Sequence, residues 1–168
     1  DPEFKVNIHI SDIQAYPSIT ALSDGGFVIT WESNGQDGSG YGIYAQRYAA
    51  DGSASGEFIV NSATANEQAV SRITALNDGG FVITWGSNQS TATATNTGYD
   101  IYAKHYAADG SDGGEFIVNS VTSGDQGSPS VTTLNNGNYV ITWQSDETSA
   151  NGFDIYAQQY NDGGQLNS

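Results

Sequence analysis

Apolar and polar residues alternate with a period of two in several short segments of this chain. The clearest is residues 81–85, whose sequence is Phe-Val-Ile-Thr-Trp, so the first, third and fifth side chains share one face of an extended segment. Residues 77–80, directly before it, are Asn-Asp-Gly-Gly, which accept the positive φ of a tight turn. Alternation beside such a turn predicts an antiparallel hairpin.

The same segment occurs three times. Its tryptophans, Trp31, Trp85 and Trp143, are 54 (31 to 85) and 58 (85 to 143) residues apart. Other positions match in all three units: Phe4, Phe58 and Phe116; Gln14, Gln68 and Gln126; Ile43, Ile101 and Ile155; Tyr48, Tyr106 and Tyr160. Self-similarity at a fixed period indicates a repeat protein. We predict one repeat domain over residues 1–168, with repeats at 3–56, 57–114 and 115–168.

Each unit predicts four strands. In the second unit these are Glu57–Asn61, Val70–Leu76, Phe81–Trp85 and Tyr99–Tyr106, with Gly and Asp or Asn at the turns. Four-stranded antiparallel units of this length are typical of β-propeller blades. We therefore predict an all-β, propeller-like fold, with a three-fold β-trefoil or β-prism as the alternative. The three tryptophans are predicted to pack between blades.

The order of the strands suggests how a ring would close. The chain opens with a predicted strand at Phe4–Asn7 and its last predicted strand is Tyr156–Tyr160, so each unit begins with the strand that completes a blade. Three blades fall below the usual minimum of about four. We therefore hypothesise a homodimer that forms a six-bladed ring, each N-terminal strand completing a blade of the partner.

Composition excludes several classes of function. Four Lys and Arg against 19 Asp and Glu give a net charge of −15, which phosphate backbones and anionic lipids repel. Neither nucleic-acid binding nor membrane insertion is expected, and no apolar run approaches the roughly 18 residues of a membrane span. The absence of cysteine excludes disulfides and thiolate metal sites, and the absence of methionine indicates a fragment or processed product.

Carboxylates in the loop after each tryptophan are candidate Ca²⁺ ligands, because Ca²⁺ takes six to eight oxygen ligands. They are Glu32 and Asp37 in the first unit, Asp100 in the second, and Asp146, Glu147 and Asp154 in the third. Asp100 and Asp154 align with each other, whereas Gly42 takes that place in the first unit. The acidic turn residues that recur elsewhere are explained by turn geometry alone.

Aromatic residues beside the same loop are candidate ligand-binding residues. They are Tyr41, Tyr99 and Phe153, each two positions before the isoleucine that all three units share (Ile43, Ile101 and Ile155). Aromatic faces with neighbouring polar groups suit the apolar faces and hydroxyls of sugars. These three residues predict recognition of a glycan or a cell-surface ligand.

The motif Asp-Gly-Gly-Phe-Val-Ile-Thr-Trp at 24–31, with Gln36–Tyr48 and Gly56–Asn61, resembles repeats of large secreted bacterial proteins of the RTX adhesin and haemolysin-type calcium-binding class. The resemblance covers nearly the whole chain. It implies a secreted or cell-surface protein, exported by type I secretion, that works where calcium is abundant. The Gly-Gly-x-Gly-x-Asp nonapeptide of that class is absent, so its metal sites are not carried over.

Catalysis is poorly supported by the sequence. His9 and His105 occupy non-equivalent repeat positions, and neither a Gly-x-Ser-x-Gly elbow nor a His-Glu-x-x-His zinc motif occurs. We therefore predict a non-enzymatic extracellular binding module of an adhesin-like protein. The alternatives are a structural or oligomerising spacer and, third, a polysaccharide-active enzyme.

Overall fold

The computed structural model describes residues 3–89, 98–146, 152–161 and 163–164. Its strands form three antiparallel sheets, each built from strands that are consecutive in the chain. The first sheet contains β1 (Gln14–Ala21), β2 (Phe27–Asn34), β3 (Tyr41–Tyr48) and β4 (Ala54–Ile59). The second contains β5 (Gln68–Ala75), β6 (Phe81–Ser87), β7 (Asp100–Tyr106) and β8 (Asp112–Ile117). The third contains β9 (Gln126–Thr133), β10 (Tyr139–Ser145) and β11 (Asp154–Tyr160).

The β5–β6 hairpin shows how the turn residues set the strand boundaries. The backbone N–H of Leu76 donates to the carbonyl of Gly80, 2.8 Å away, and closes the turn. The carboxylate of Asp78 accepts a hydrogen bond from the N–H of Gly80, also at 2.8 Å. Gly79 has a φ of 91°, and a Cβ on Gly80 would lie 2.3 Å from the carbonyl oxygen of Tyr106. The Asp-Gly-Gly sequence therefore satisfies three separate requirements of one turn.

The second sheet lies between the other two, and all seven residues of β6 are buried. One face of this sheet packs on the first sheet in a cluster that includes Val28, Ile43, Ala45, Phe81, Ile83, Trp85, Tyr102 and Tyr106. The other face packs on the third sheet in a cluster that includes Val82, Ile101, Ala103, Tyr139, Ile141 and Trp143. The three tryptophans are 4%, 1% and 7% exposed. The predicted packing between sheets holds for Trp85 and Trp143, whereas Trp31 belongs to neither cluster and lies beside residues 4–7 on the outer face of the first sheet.

One strand prediction is corrected: residues 3–13 contain no strand, although Phe4–Asn7 was predicted to form one. β4 and β8, which lie where the second and third units begin, complete the first and second sheets, so the third sheet has three strands among the described residues. A strand needs the hydrogen-bonding edge of a neighbour. Residues 4–7 lie against the first sheet, whereas the sheet that lacks a fourth strand is the third.

The first strand of every sheet carries a β-bulge. The register shifts between Ala15 and Ser18 in β1, between Ala69 and Arg72 in β5, and at the corresponding point of β9. At the same repeat position Tyr16, Val70 and Ser128 have φ values of 52°, 58° and 51°. Positive φ is unfavourable for a β-branched side chain such as valine, so the bulge stores backbone strain at Val70.

No helix in the described part of the chain is long and apolar enough to cross a membrane.

A candidate binding cleft between the second and third sheets

An open cleft of about 330 Å³ lies at the boundary between the second and third sheets. It is lined by Ala69, Val70, Gly86, Tyr99, Asp125, Gln126, Gly127, Ser128, Gln144 and Phe153. Two of the three predicted ligand-binding aromatics, Tyr99 and Phe153, are therefore brought together. They approach the cleft from different sheets, since Tyr99 directly precedes β7 and Phe153 directly precedes β11. Phe153 is 53% exposed.

Hydrogen bonds between loops fix the rim of this cleft. The backbone N–H of Tyr99 donates to the carboxylate of Asp125 at 3.0 Å. The N–H of Asp125 in turn donates to the carboxylate of Asp146 at 2.5 Å. Two acceptors contributed by side chains thus hold the start of β7, the start of β9 and the end of β10 in one arrangement. Positions fixed in this way need less ordering when a ligand binds.

The cleft exists at this boundary because of a repeat position that differs between the sheets. Gly86 follows Trp85, and it lacks a side chain to fill the space beside the bulge of the next sheet. In the first sheet the same position is Glu32, which is 3% exposed and accepts a hydrogen bond from the N–H of Val70 at 2.5 Å. The carboxylate of Glu32 therefore bridges the boundary that Gly86 leaves open.

Tyr41 lies at that first boundary. Its N–H donates to the carboxylate of Glu67 at 3.0 Å, the counterpart of the Tyr99–Asp125 bond. Tyr41 does not line the cleft that contains Tyr99 and Phe153. The three predicted aromatics thus occupy equivalent repeat positions, but only two of them share one surface.

The electrostatics of the cleft favour a neutral, hydrogen-bonding ligand. Burial raises the pKa of the Tyr99 phenol, and the charges of Glu67, Asp125 and Glu32 raise it further, so Tyr99 remains an O–H donor. An anionic ligand would be repelled by the carboxylate of Asp125, whereas hydroxyl groups can donate to it.

Five of the six predicted calcium ligands lie in the described residues, and they are dispersed there. Glu32 accepts from Val70, Asp37 accepts from the N–H of Ser39 at 3.1 Å, and Asp146 accepts from Asp125. Asp100 is 5% exposed and accepts from the amide of Asn119 at 2.7 Å. Asp154 is exposed, at the start of β11 opposite Ser145. Glu147 lies outside the described residues.

These carboxylates do not fit one shared calcium site. Within the described ranges, no three His, Asp or Glu side chains are placed to hold a metal ion together. Each of the first four carboxylates is instead used by a nearby N–H donor. Calcium binding therefore stays a prediction.

Two residues of the cleft, Asp125 and Gln144, were not predicted from the sequence. Asp125 precedes the matched glutamine of the third unit, where the first unit has Ile13 and the second Glu67. Gln144 occupies the position of Glu32 and Gly86. Both positions vary between the repeats, so neither stood out in a comparison that favoured invariant positions. Variation within an otherwise constant repeat was the signal available.

The three sheets and the cleft between them define a propeller-like all-β protein with a concave site at a sheet boundary, and comparison with solved structures supports this class. The endo-arabinase from Bacteroides thetaiotaomicron VPI-5482 matches with a TM-score of 0.59 and 18% identity, covering 96% of this chain and 62% of the enzyme. The Hadza microbial sialidase Hz136 matches with a TM-score of 0.65 and 11% identity, over 91% of this chain and 36% of the sialidase.

A protein of unknown function from Dyadobacter fermentans DSM 18053 also matches, with a TM-score of 0.60, 14% identity, and coverage of 87% of this chain and 37% of that one. This chain spans less than two thirds of each of the three proteins. No family model and no curated protein matches it. At these identities the likeness shows the fold alone.

The alternative prediction, a closed three-fold trefoil or prism, is not what is observed. The sheets follow one another in sequence, and the second lies between the first and the third.

Proposed function

We propose that this chain is a non-enzymatic, extracellular carbohydrate-binding module of an adhesin-like bacterial protein, in which each sheet is a propeller blade. A glycan binds in the cleft between the second and third sheets. The observation that carries this proposal is the meeting of Tyr99 and Phe153 beside Asp125 and Gln144 in one open cleft.

The chemistry of the cleft supports a sugar ligand. The two aromatic rings offer apolar surface to the C–H faces of a pyranose or furanose, and the carboxylate and amide offer acceptors and donors to its hydroxyls. A concave site with a few convergent polar groups is the usual form of a small-ligand site. The charge of −15 supports a neutral glycan and disfavours a polyanionic one.

The structural neighbours bring a second candidate, a polysaccharide-active enzyme, because one is an endo-arabinase and another a sialidase. Hydrolysis of a glycosidic bond by the usual route requires two carboxyl groups that flank the bond, about 5–9.5 Å apart. Of the residues described as lining the cleft, only Asp125 carries a carboxylate. A binding role therefore fits this site better than hydrolysis by that two-carboxyl route.

A glycan array that includes arabinan oligosaccharides and sialylated glycans tests the proposal, run in calcium and again with chelator. We expect binding to a related set of neutral glycans. The double variant Tyr99→Ala/Phe153→Ala should weaken that binding at least tenfold. Tyr41→Ala is the matched control, because it removes an equivalent side chain from outside the cleft and should leave binding unchanged.

Different results separate the alternatives. An array without signal in both conditions would overturn the glycan proposal and leave a structural spacer. Release of reducing sugar or sialic acid from arabinan or sialylated probes would overturn the non-enzymatic assignment. Loss of binding only with chelator would support calcium in the site, whereas equal binding in both conditions would show that calcium is not required.

A further inference from the structure

The segment before the first sheet has the sequence and local conformation of the end of an outer strand. Residues 4–7, Phe-Lys-Val-Asn, match 58–61 and 116–119. The side-chain amide of Asn7 donates to the carbonyl two residues ahead at 2.6 Å. The amides of Asn61 and Asn119 make the same bond at 2.8 and 2.9 Å. The N-terminal segment is therefore shaped as a continuation of a preceding sheet.

This segment also docks on the first sheet in the way that an outer strand docks on the sheet that follows it. The ring centroid of Phe4 lies 5.5 Å from that of Tyr48, with an angle of 59° between the planes. Phe58, at the end of the first sheet, lies 5.7 Å from Tyr106 of the second at 60°. The two aromatic contacts have the same geometry.

A hydrogen bond repeats in the same manner. The N–H of Ile8 donates to the carboxylate of Glu57 at 2.8 Å, and the N–H of Ser62, at the matching position, donates to Glu115 at 2.7 Å. Residues 4–8 thus stand against the first sheet as residues 58–62 stand against the second. In the described part of the chain, residues 58–62 follow on from the outer strand of a sheet, whereas residues 4–8 pair with no strand.

Among the described residues, the third sheet is the one that lacks an outer strand. In the first sheet, the N–H of Val60 donates to the carbonyl of Ile43 at 2.8 Å, and Asn61 accepts from the N–H of Ile43 at 2.7 Å. Val118 and Asn119 make the same two bonds to Ile101. The corresponding residue of the third sheet is Ile155, which is 78% exposed, whereas Ile43 and Ile101 are both 0% exposed.

The opposite end of the chain shows the complementary exposure. Ile19 of β1 is 62% exposed, whereas Ile73, at the same position of the second sheet, is 8% exposed and packs on the first sheet. The outer face of the first sheet, which carries Ile19, therefore matches the face of the second sheet that packs on the first. The outer face of the third sheet, which carries Ile155, matches the faces of the first two sheets that pack on the sheet after them. These two outer faces could together form the same interface that already joins the first sheet to the second and the second to the third.

We propose that the outer face and edge of the third sheet bind the first sheet of a second copy of this chain. Residues 4–7 of the second copy supply the missing fourth strand. Val6 donates its N–H to the carbonyl of Ile155, and Asn7 accepts the N–H of Ile155. The existing contact of Phe4 with Tyr48 inside the second copy then matches the contacts of Phe58 with Tyr106 and of Phe116 with Tyr160, where the outer strand of one sheet packs on the next sheet. This inference is independent of the proposed glycan binding.

The number of copies follows from ring size. Contacts between different faces of identical chains give either a closed ring or an open filament. Propeller rings contain about four to eight blades. Two copies give six sheets, whereas three copies would give nine, so the closed assembly is a dimer of about 35 kDa, twice 17.7 kDa.

Light scattering coupled to size-exclusion chromatography measures this mass over a range of protein concentrations. We expect about 35 kDa for the unaltered chain. Ile155→Glu should shift the mass to 17.7 kDa, because it places a charge in the interface while the isolated chain already exposes this side chain. Ile117→Glu is the matched control: it alters an isoleucine that is 41% exposed on an outer strand, where residues 4–7 carry Lys5 at the same position, and should leave the dimer intact.

Circular dichroism establishes that each variant is folded, and hydrogen exchange gives a second measurement. The Ile155 amide should be protected in the dimer, and Asn7→Ala should reduce its protection. A monomeric mass at all concentrations would overturn the proposal and leave a neighbouring repeat of a longer protein as the occupant of this edge. Masses that grow beyond the dimer would overturn ring closure, and an unchanged dimer in Ile155→Glu would place the interface elsewhere.

Discussion

The carboxylate of Glu32 accepts a hydrogen bond from the backbone N–H of Val70, 2.5 Å away, across the boundary between the first two sheets. One side chain thus satisfies a donor that the bulge in β5 turns away from its own sheet. The contact closes the first boundary between sheets, whereas Gly86, at the same repeat position, leaves the second boundary open. The difference between a closed and an open boundary is a single residue type.

Removing this acceptor should cost stability. Glu32→Ala leaves the partly buried N–H of Val70 without its side-chain acceptor, and we expect a loss of about 1–3 kcal/mol in the free energy of unfolding. Urea denaturation at neutral pH measures it. Glu32→Gln retains an acceptor oxygen and is the control. Equal stability of the Ala variant and the unaltered chain would contradict the role of this bond.

The free energy of unfolding of the unaltered chain and that of Glu32→Gln should depend differently on pH. Burial raises the pKa of Glu32 above its ordinary value, so the folded state holds this proton more tightly than the unfolded state does. The contribution of Glu32 to stability is then fully present below its ordinary pKa of 4.5 and is lost as the pH rises through the raised value. Relative to the unaltered chain, Glu32→Gln should gain stability between pH 4 and pH 7. A difference that does not vary with pH would contradict this.

The Asn119–Asp100 pair gives a second pH-dependent prediction. Burial raises the pKa of Asp100, and the amide of Asn119 opposes that shift by donating to it. Asn119→Asp replaces the donor by a second buried carboxyl, so we expect a loss of at least about 2 kcal/mol at pH 7. The loss should shrink as the pH falls toward 4, because one proton can be shared between the two groups.

Chemical denaturation at both pH values measures this loss. The double variant Asp100→Asn/Asn119→Asp exchanges the amide and the carboxylate and should restore most of the stability. Failure of the exchange to restore it would show that the hydrogen bond from the Asn119 amide to the carbonyl of Val121, at 2.9 Å, which the exchange removes, dominates instead.

Backbone strain at the bulges predicts that two substitutions at matching positions change stability in opposite directions. Val70 holds a φ of 58°, a conformation that asparagine tolerates better than a β-branched residue does. Val70→Asn should therefore raise stability by about 1 kcal/mol. Ser128→Val, at the matching position of the third sheet, should lower it by about 1–3 kcal/mol. Thermal and urea unfolding test both, and changes of the opposite sign would contradict the assignment of strain to this position.

The core and the cleft should respond differently to the loss of an aromatic ring. Trp85 is 1% exposed and packs between the first two sheets, so Trp85→Ala should cost about 3–5 kcal/mol. Phe153 is 53% exposed, and Phe153→Ala should change stability by less than about 0.5 kcal/mol. Equilibrium unfolding of both variants tests the contrast. A large loss for Phe153→Ala would indicate that this ring is structural.

Local patterns were enough to predict most strands of the second sheet. The predicted strands Val70–Leu76 and Phe81–Trp85 differ by two residues or fewer at each end from β5 (Gln68–Ala75) and β6 (Phe81–Ser87), because alternation and the Asp-Gly-Gly turn act over a few residues. The predicted strand Glu57–Asn61 overlaps β4 only partly. Its end is set by pairing with β3, where Ile59 lies opposite Tyr44, and this pairing is not local.

The cleft was predicted only in part. Tyr99 and Phe153 were found because they occupy a fixed position in the repeat. Asp125 reaches the cleft from the loop of another sheet, and the positive φ of Val70 runs against the preference of its residue type. Contacts between sheets and strain imposed by packing depend on the assembled fold, so sequence periodicity does not contain them.

The bulges have a consequence for solubility. β1, β5 and β9 are edge strands, and a regular edge exposes backbone groups on which another extended chain can assemble into fibrils. A bulge interrupts that row and twists it, so these edges are poor templates for cross-β growth. The opposite edges of the first two sheets, β4 and β8, are only six residues long. These five edges are in this way protected from the most common route to aggregation of a strand-rich chain, which leaves the β11 edge as the one open to pairing with another chain.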